Sequence, residues 1–161
     1  MESEEGLPLK LKVEINSRKH FTVLGFDRRQ FSVESRWFSG GATILTYRLD
    51  ELLGTKVRAL YQRKKGRDLF DFWKAFVISD VDPTQIINCF LKYMEHEGHR
   101  VSRAEFEKNL SEKFQDLRFL EDISPLLMNN SGWDFQKAVE IVISSLIARL
   151  PGEAWQGDKT L

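Results

Sequence analysis

Lys56, Asp68 and Asp71 are the residues whose types and spacing best suit chemistry, and all three lie in one stretch, DELLGTKVRALYQRKKGRDLFD, Asp50 to Asp71. If Leu49, Leu52, Leu53, Val57 and Leu60 form the buried stripe of a helix, Lys56 falls inside that stripe. Desolvating an ammonium costs on the order of several kcal/mol unless an anion meets it. Asp68 and Asp71 are three apart, so on a helix they share a face and can jointly position a cation or a nucleophile. A quieter reading stands beside this one. The stem of Lys56 can run along an apolar edge with its charge in water. Asp68 can cap a helix that starts after Gly66, with Asp71 at its third position.

Arg63, Lys64, Lys65 and Arg67 surround Gly66, and Arg58 precedes them by one to two helical turns. This is the densest positive patch in the chain and suits phosphate; cations also favour a helix C-terminus for its dipole. Glu14, in LKLKVEIN, points with Lys10 and Lys12 and serves either as their cross-strand partner or as part of a polar site with Asp68 and Asp71. Three other patterns carry less. Asp80-Val81-Asp82 leads into Pro83 and reads as a helix cap. His20, His96 and His99 lack metal-ligand spacing, and Ser39-Gly40-Gly41 lacks the residues that complete a phosphate loop.

The elements that must hold these residues follow from the hydrophobic pattern. Leu9, Leu11, Val13 and Ile15 alternate with polar residues, which predicts a strand. Phe31–Trp37 and Ala42–Tyr47 are weaker strand patterns that form a hairpin around Gly40 and Gly41. From Leu49 the period changes to 3.6. One helix begins at Asp50 and is interrupted at Gly66, and Leu69, Phe72, Trp73 and Phe76 start the next. Asp82-Pro83 opens a third helix, Ser102 with Glu105 reads as a capping box for a fourth, and Asp134 caps a last one ended by Pro151 and Gly152. Strands first and helices after place the chain in the α+β class, with a small N-terminal strand region and a C-terminal helical bundle. The expected division is a strand-rich part over 1–48, a helical part over 49–150 packed on it, and a tail over 151–161, together one folded unit.

The chain has 161 residues, 42% hydrophobic and 30% charged, enough for one real core. Lys plus Arg and Asp plus Glu both number 24, so phosphate binding must come from local clusters and not from a global field. The single cysteine, Cys89, excludes an internal disulfide and sits in the apolar run IINCFL, which fits a reducing compartment. No apolar run approaches the roughly 18 residues that would span a membrane, and MESEEGLPLK has no apolar signal core. The expected location is the cytoplasm, with no membrane contact.

The succession LKLKVEIN and then TYRLDELLGTKVRALYQRKKGRDLFDFW resembles the C-terminal half of the AbiEii-type nucleotidyltransferases, toxin components of abortive-infection and toxin-antitoxin systems in the DNA polymerase β-like superfamily. The resemblance covers about residues 8 to 78. It implies a small sheet carrying a metal site and a helical region beside it that holds the nucleotide. It further implies that Lys56 contacts nucleotide phosphate, that Asp68 and Asp71 belong to the active site, and that Glu14 is a third metal carboxylate. Arg58, Arg63, Lys64, Lys65 and Arg67 would then guide phosphates or an RNA acceptor. Magnesium and a nucleoside triphosphate are the expected cofactor and substrate.

In that family a Gly-Ser turn and an Asp-x-Asp pair precede the LKVEIN-like strand, and neither precedes Leu9. The expectation is therefore an incomplete site whose metal carboxylates come from a missing N-terminal half. Expected partners are that half, an antitoxin, an RNA or protein acceptor, and a second copy paired through an open strand edge. Two other functions compete with transfer: a non-catalytic protein-binding remnant, and a small RNA-binding module resting on the basic patch.

Overall fold

The structure, a computed structural model, describes residues 21–127 and 132–157. The alternating segment Leu9 to Ile15, and Glu14 with it, lies outside the described residues. What is described of the strand region is an antiparallel hairpin, β1 (Phe26–Glu34) and β2 (Ser39–Tyr47), in register from Phe26 opposite Tyr47 to Glu34 opposite Ser39. The hairpin is longer than expected, and its turn lies elsewhere. Gly40 and Gly41 sit inside β2, and the chain reverses over Ser35 to Phe38. Ser35 makes the turn: its hydroxyl accepts from the Trp37 and Phe38 amides at 3.3 and 3.1 Å, and its own amide donates to the Phe38 carbonyl at 2.9 Å. A serine that bonds its neighbours' backbone thus overrides the glycine signal.

Six helices follow: α1 (Leu49–Gln62), α2 (Arg67–Ile78), α3 (Pro83–His96), α4 (Arg103–Phe114), α5 (Leu117–Glu121) and α6 (Phe135–Ile141). The expected starts hold at α3, where Asp82 accepts from the Thr84 and Gln85 amides, and at α4, where Ser102 and Glu105 form the capping box. Asp134 caps α6 through the Lys137 amide. The last helix widens into a π turn at Val142–Leu146 and tightens again at Ile147–Arg149. Ser144 donates its hydroxyl to the Glu140 carbonyl at 2.6 Å, competing for the acceptor that an amide would otherwise take.

The core is a single cluster in which Leu53, Val57 and Leu60 of α1 meet Phe72 of α2, Phe90 of α3 and Phe106 of α4. Fully burying each such side chain contributes about 1.5–3 kcal/mol. Helices α1 and α3 approach most closely at Gly54. A Cβ there would stand 2.6 Å from Cys89 Cβ and 2.9 Å from the Ile86 carbonyl oxygen, so the glycine of ELLGTK is a packing requirement.

One turn before Gly54, Glu51 is fully buried. Its carboxylate accepts from the Val23 and Leu24 amides, the Thr22 hydroxyl and the Tyr93 hydroxyl, each at 2.8 Å. These bonds pin the strap 21–25, which leads into β1, onto α1 and α3. Phe21 adds a ring stacked on His96 and set edge-on to Tyr93. Burial alone would raise the Glu51 pKa, and the four hydrogen bonds outweigh it, so the group lies below its ordinary value. Tyr93, buried and donating to a carboxylate, is pushed well above its ordinary range.

Candidate functional site

Helix α1 ends at Gln62, and the link Arg63 to Gly66 turns the chain so that α2 returns beside it. Gly66 fixes this turn: a Cβ there would lie 1.9 Å from the Phe119 carbonyl oxygen, so no side chain fits between the link and α5. The reversal sets Lys56 of α1 opposite the first half of α2.

Asp68 is the second residue of α2 and has no exposed surface. Arg63 grips it with two bonds, Nε to Oδ2 at 2.9 Å and Nη2 to Oδ1 at 2.6 Å, the forked pairing that planar guanidinium and carboxylate groups make best. The Arg63 pKa is raised chiefly by that bond. Lys56 Nζ lies 2.6 Å from Asp71 Oδ2 and 3.7 Å from Asp68 Oδ1. Four of the residues singled out by their spacing therefore form one cluster. Neither aspartate is a cap: the N-cap position is Gly66, Asp68 turns back toward Arg63, and Asp71 is the fifth helical residue.

Lys56 is not a buried ammonium. Its side chain is 39% exposed and that of Asp71 40%. The buried stripe of α1 runs through Leu53, Val57 and Leu60, while Leu49 and Leu52 lie on the exposed flank with the lysine. Two carboxylates meet the ammonium on one side, and the other side is open to water.

The rest of the basic cluster is dispersed. Arg58 turns toward α3, where it pairs with Glu97 and lies over the Tyr93 ring at 5.4 Å. Lys65 and Arg67 both reach Asp122, at 3.3 and 3.2 Å, and Lys64 approaches Asp116 at 4.0 Å. Gathered in sequence, these cations separate in space onto different carboxylates, Lys65 and Arg67 sharing Asp122 and Lys64 sharing Asp116 with Arg118, and Arg63 alone joins Lys56.

A further buried charge escapes the spacing argument. Lys113 of α4, 3% exposed, donates to the carbonyls of Leu60 and Tyr61 and so caps the last turn of α1, beside Arg63. Burial lowers its pKa to about 8, opposed by the charge of Asp68. The signal is present in the sequence: Lys113 lies three residues after Leu110 and seven after Phe106, inside the stripe of α4. Glu51 has a comparable signal, one turn before Gly54 on the face that approaches α3.

The described residues do not make a magnesium site. Both oxygens of Asp68 are engaged by Arg63, with Lys56 nearby, and Asp71 faces Lys56, so cations already fill the directions a metal would need. Among the described residues, no three acidic, histidine or cysteine side chains converge as metal ligands. The same residues contain no helix long and apolar enough to cross a membrane.

The pairing of this lysine with the two aspartates of the RKKGRDLFD segment coincides with a family-level match. The profile of the family described as "Nucleotidyl transferase AbiEii toxin, Type IV TA system" matches residues 2–141. The chain belongs to that family. The match runs well past residues 8 to 78, so this AbiEii-family chain is covered over most of its length, helical body included, and not over a C-terminal half alone. No curated protein and no solved structure matches it.

Proposed function

We propose that this AbiEii-family chain binds a nucleoside triphosphate at Lys56 and takes part in transferring a nucleotide to an acceptor, an RNA end or a protein hydroxyl. The observation that carries this reading is a lysine aimed by two carboxylates of a neighbouring helix with its outer side left open. An ammonium has three donors. Asp71 and Asp68 engage its inner side, and the outer side is free for a phosphate oxygen.

The roles then divide by geometry. Lys56 neutralises charge on the phosphates, where a positioned cation stabilises the transition state more than the ground state. Asp71 and Asp68 hold the ammonium in place, and Arg63 locks Asp68. Magnesium, expected for such transfer, would be held by carboxylates other than those described here. In calorimetric titration with a nucleoside triphosphate and magnesium, the wild-type chain is expected to bind and Lys56→Ala to bind at least tenfold more weakly, the loss of one charge-assisted phosphate contact. Absence of wild-type binding, or equal binding by the variant, overturns the reading.

A further inference from the structure

The hairpin β1–β2 carries aromatic surface that the nucleotide site does not use. Its register places Asp27, Arg29, Phe31 and Val33 on one face, opposite Thr46, Ile44, Ala42 and Gly40. Phe31 faces only Ala42, and the Phe38 ring lies over Gly40, where an added Cβ would be 2.6 Å from its ring. Small residues thus leave both rings as a flat shelf, Phe31 53% and Phe38 63% exposed. Trp37, at the tip, is 73% exposed and carries the Arg36 guanidinium stacked 4.1 Å from its ring centre.

Charge favours one kind of occupant. Residues 26 to 48 hold four arginines (28, 29, 36 and 48) and two carboxylates (Asp27 and Glu34), a net of +2 in a chain whose total is zero. Arg29 pairs with Asp27, while among the described residues neither Arg28 nor Arg48 pairs with a carboxylate. The rings share their face with the paired Arg29 and Asp27, while Arg28 projects from the opposite face and Arg36 stands at the tip, so unpaired bases can stack on the rings while the net positive charge of the hairpin attracts their phosphates. A second copy is the poorer fit. Nine residues span roughly 30 Å and two strands about 10 Å, so one face offers about 300 Å² against the roughly 800 Å² per partner of a stable dimer.

We propose that the Phe31–Phe38 face of the hairpin, with Trp37 at its tip, binds a single-stranded nucleic acid by stacking two or three unpaired bases. The surface is continuous in sequence with the nucleotide site, since β2 ends at Tyr47 and α1 begins at Leu49 with Lys56 two turns on. The proposal deepens the acceptor side of the proposed transfer and rests on that reading for its purpose.

The test is fluorescence anisotropy of a labelled 12-nucleotide single strand, as RNA and as DNA of the same sequence, with tryptophan quenching followed in parallel and no triphosphate present. The wild-type chain is expected to bind with quenching and with affinity that falls as salt rises. Phe31→Ala and Phe38→Ala are each expected to weaken binding about tenfold, while far-ultraviolet circular dichroism shows the helices intact. The RNA and DNA arms show which backbone is preferred. No binding to either strand, binding by both variants as tight as by the wild type, or a mass that rises with concentration and falls to the monomer in Phe31→Ala overturns the proposal, the last by making the face a protein interface. Because no triphosphate is present, failure here leaves the Lys56 reading standing, and failure of the calorimetry leaves this one.

Discussion

Lys56 Nζ stands 2.6 Å from Asp71 Oδ2 in a pair whose two side chains are each about two-fifths exposed. Solvent screens such a pair, which contributes at most about 1 kcal/mol to folding. Asp71→Asn is therefore expected to shift stability by less than about 1 kcal/mol, read from urea unfolding. The same substitution frees the ammonium from its orienting partner and is expected to weaken triphosphate binding several-fold in calorimetry. A large loss of stability with unchanged nucleotide affinity would make the pair structural.

Arg63 and Asp68 behave oppositely. Asp68 has no exposed surface and both its oxygens are taken by the Arg63 fork. Truncating Arg63 leaves a buried carboxylate without a hydrogen-bonded cation, Lys56 standing at 3.7 Å and the Lys113 ammonium acting only through space, and stranding a buried charge costs about 3 kcal/mol or more. Arg63→Ala is expected to lose about that much in urea unfolding. Arg63→Lys is expected to recover only part of it, because an ammonium cannot make both bonds of the fork.

Much of this was legible in the residues, and the limits have physical causes. Five helix positions followed from the 3.6 period, the caps at Asp82, Ser102 and Asp134, and the break at Gly66, while the short α5, capped by Asp116, is too brief to show a period and was not foreseen. A polar site joining Lys56 to Asp68 and Asp71 followed only as one of two readings of charge at an apolar stripe, the other being an amphipathic edge with the aspartates as caps, and the family resemblance favoured the first. Burial did not follow: Lys56 sits on the flank because Leu49 and Leu52 are themselves partly exposed, while the buried lysine is Lys113. Periodicity marks a face but not what packs against it. The basic cluster misleads for a similar reason, since Asp116 and Asp122, distant in sequence, draw Lys64, Lys65 and Arg67 away from Lys56 and offset part of their charge. The hairpin turn was misplaced because Ser35 competes with two adjacent glycines, and sequence alone does not rank them.

Glu51 holds the strap 21–25 with four acceptor contacts, so its removal strands two amides and the Thr22 hydroxyl and leaves the Tyr93 hydroxyl only the Phe21 carbonyl at 3.2 Å. Glu51→Ala is expected to cost about 3–5 kcal/mol, and hydrogen exchange at the Val23 and Leu24 amides is expected to accelerate more than in the α4 core. The pH dependence has a definite sign. The folded-state pKa lies below the ordinary 4.5, so the unfolded chain binds more protons between the two values. The contribution is complete above 4.5 and is lost as the pH falls through the folded value. Acid unfolding monitored by circular dichroism is expected to show a shallower slope in Glu51→Gln than in the wild type, the remainder coming from Asp82, Glu95, Glu105 and Asp116, whose hydrogen bonds also hold them below their ordinary values.

Lys113 gives a slope of the other origin. Burial lowers its pKa from 10.5 to about 8, so the folded chain releases this proton first and the unfolded chain binds more protons between those values. Stability from this group therefore rises with pH from about 8 toward 10.5, as the desolvated ammonium becomes a neutral amine. Cys89 opposes it. Burial raises that thiol from 9.0 to about 11, so its contribution falls as the pH rises through that range. The raised Tyr61 and Tyr93 pKa values act in the same direction above about 10. The window in which Lys113 acts with least opposition is thus pH 8 to 9, where the gain is about 1 kcal/mol. Urea midpoints across that window are expected to rise for the wild type and to stay flat for Lys113→Met, which keeps the stem and removes the titration. Lys113→Met also uncaps the Leu60 and Tyr61 carbonyls, so its stability at pH 7 reports the net of lost hydrogen bonds and relieved desolvation. A wild-type midpoint as flat between pH 8 and 9 as that of Lys113→Met would mean that the folded chain holds this proton up to the ordinary lysine range, and would overturn the assignment.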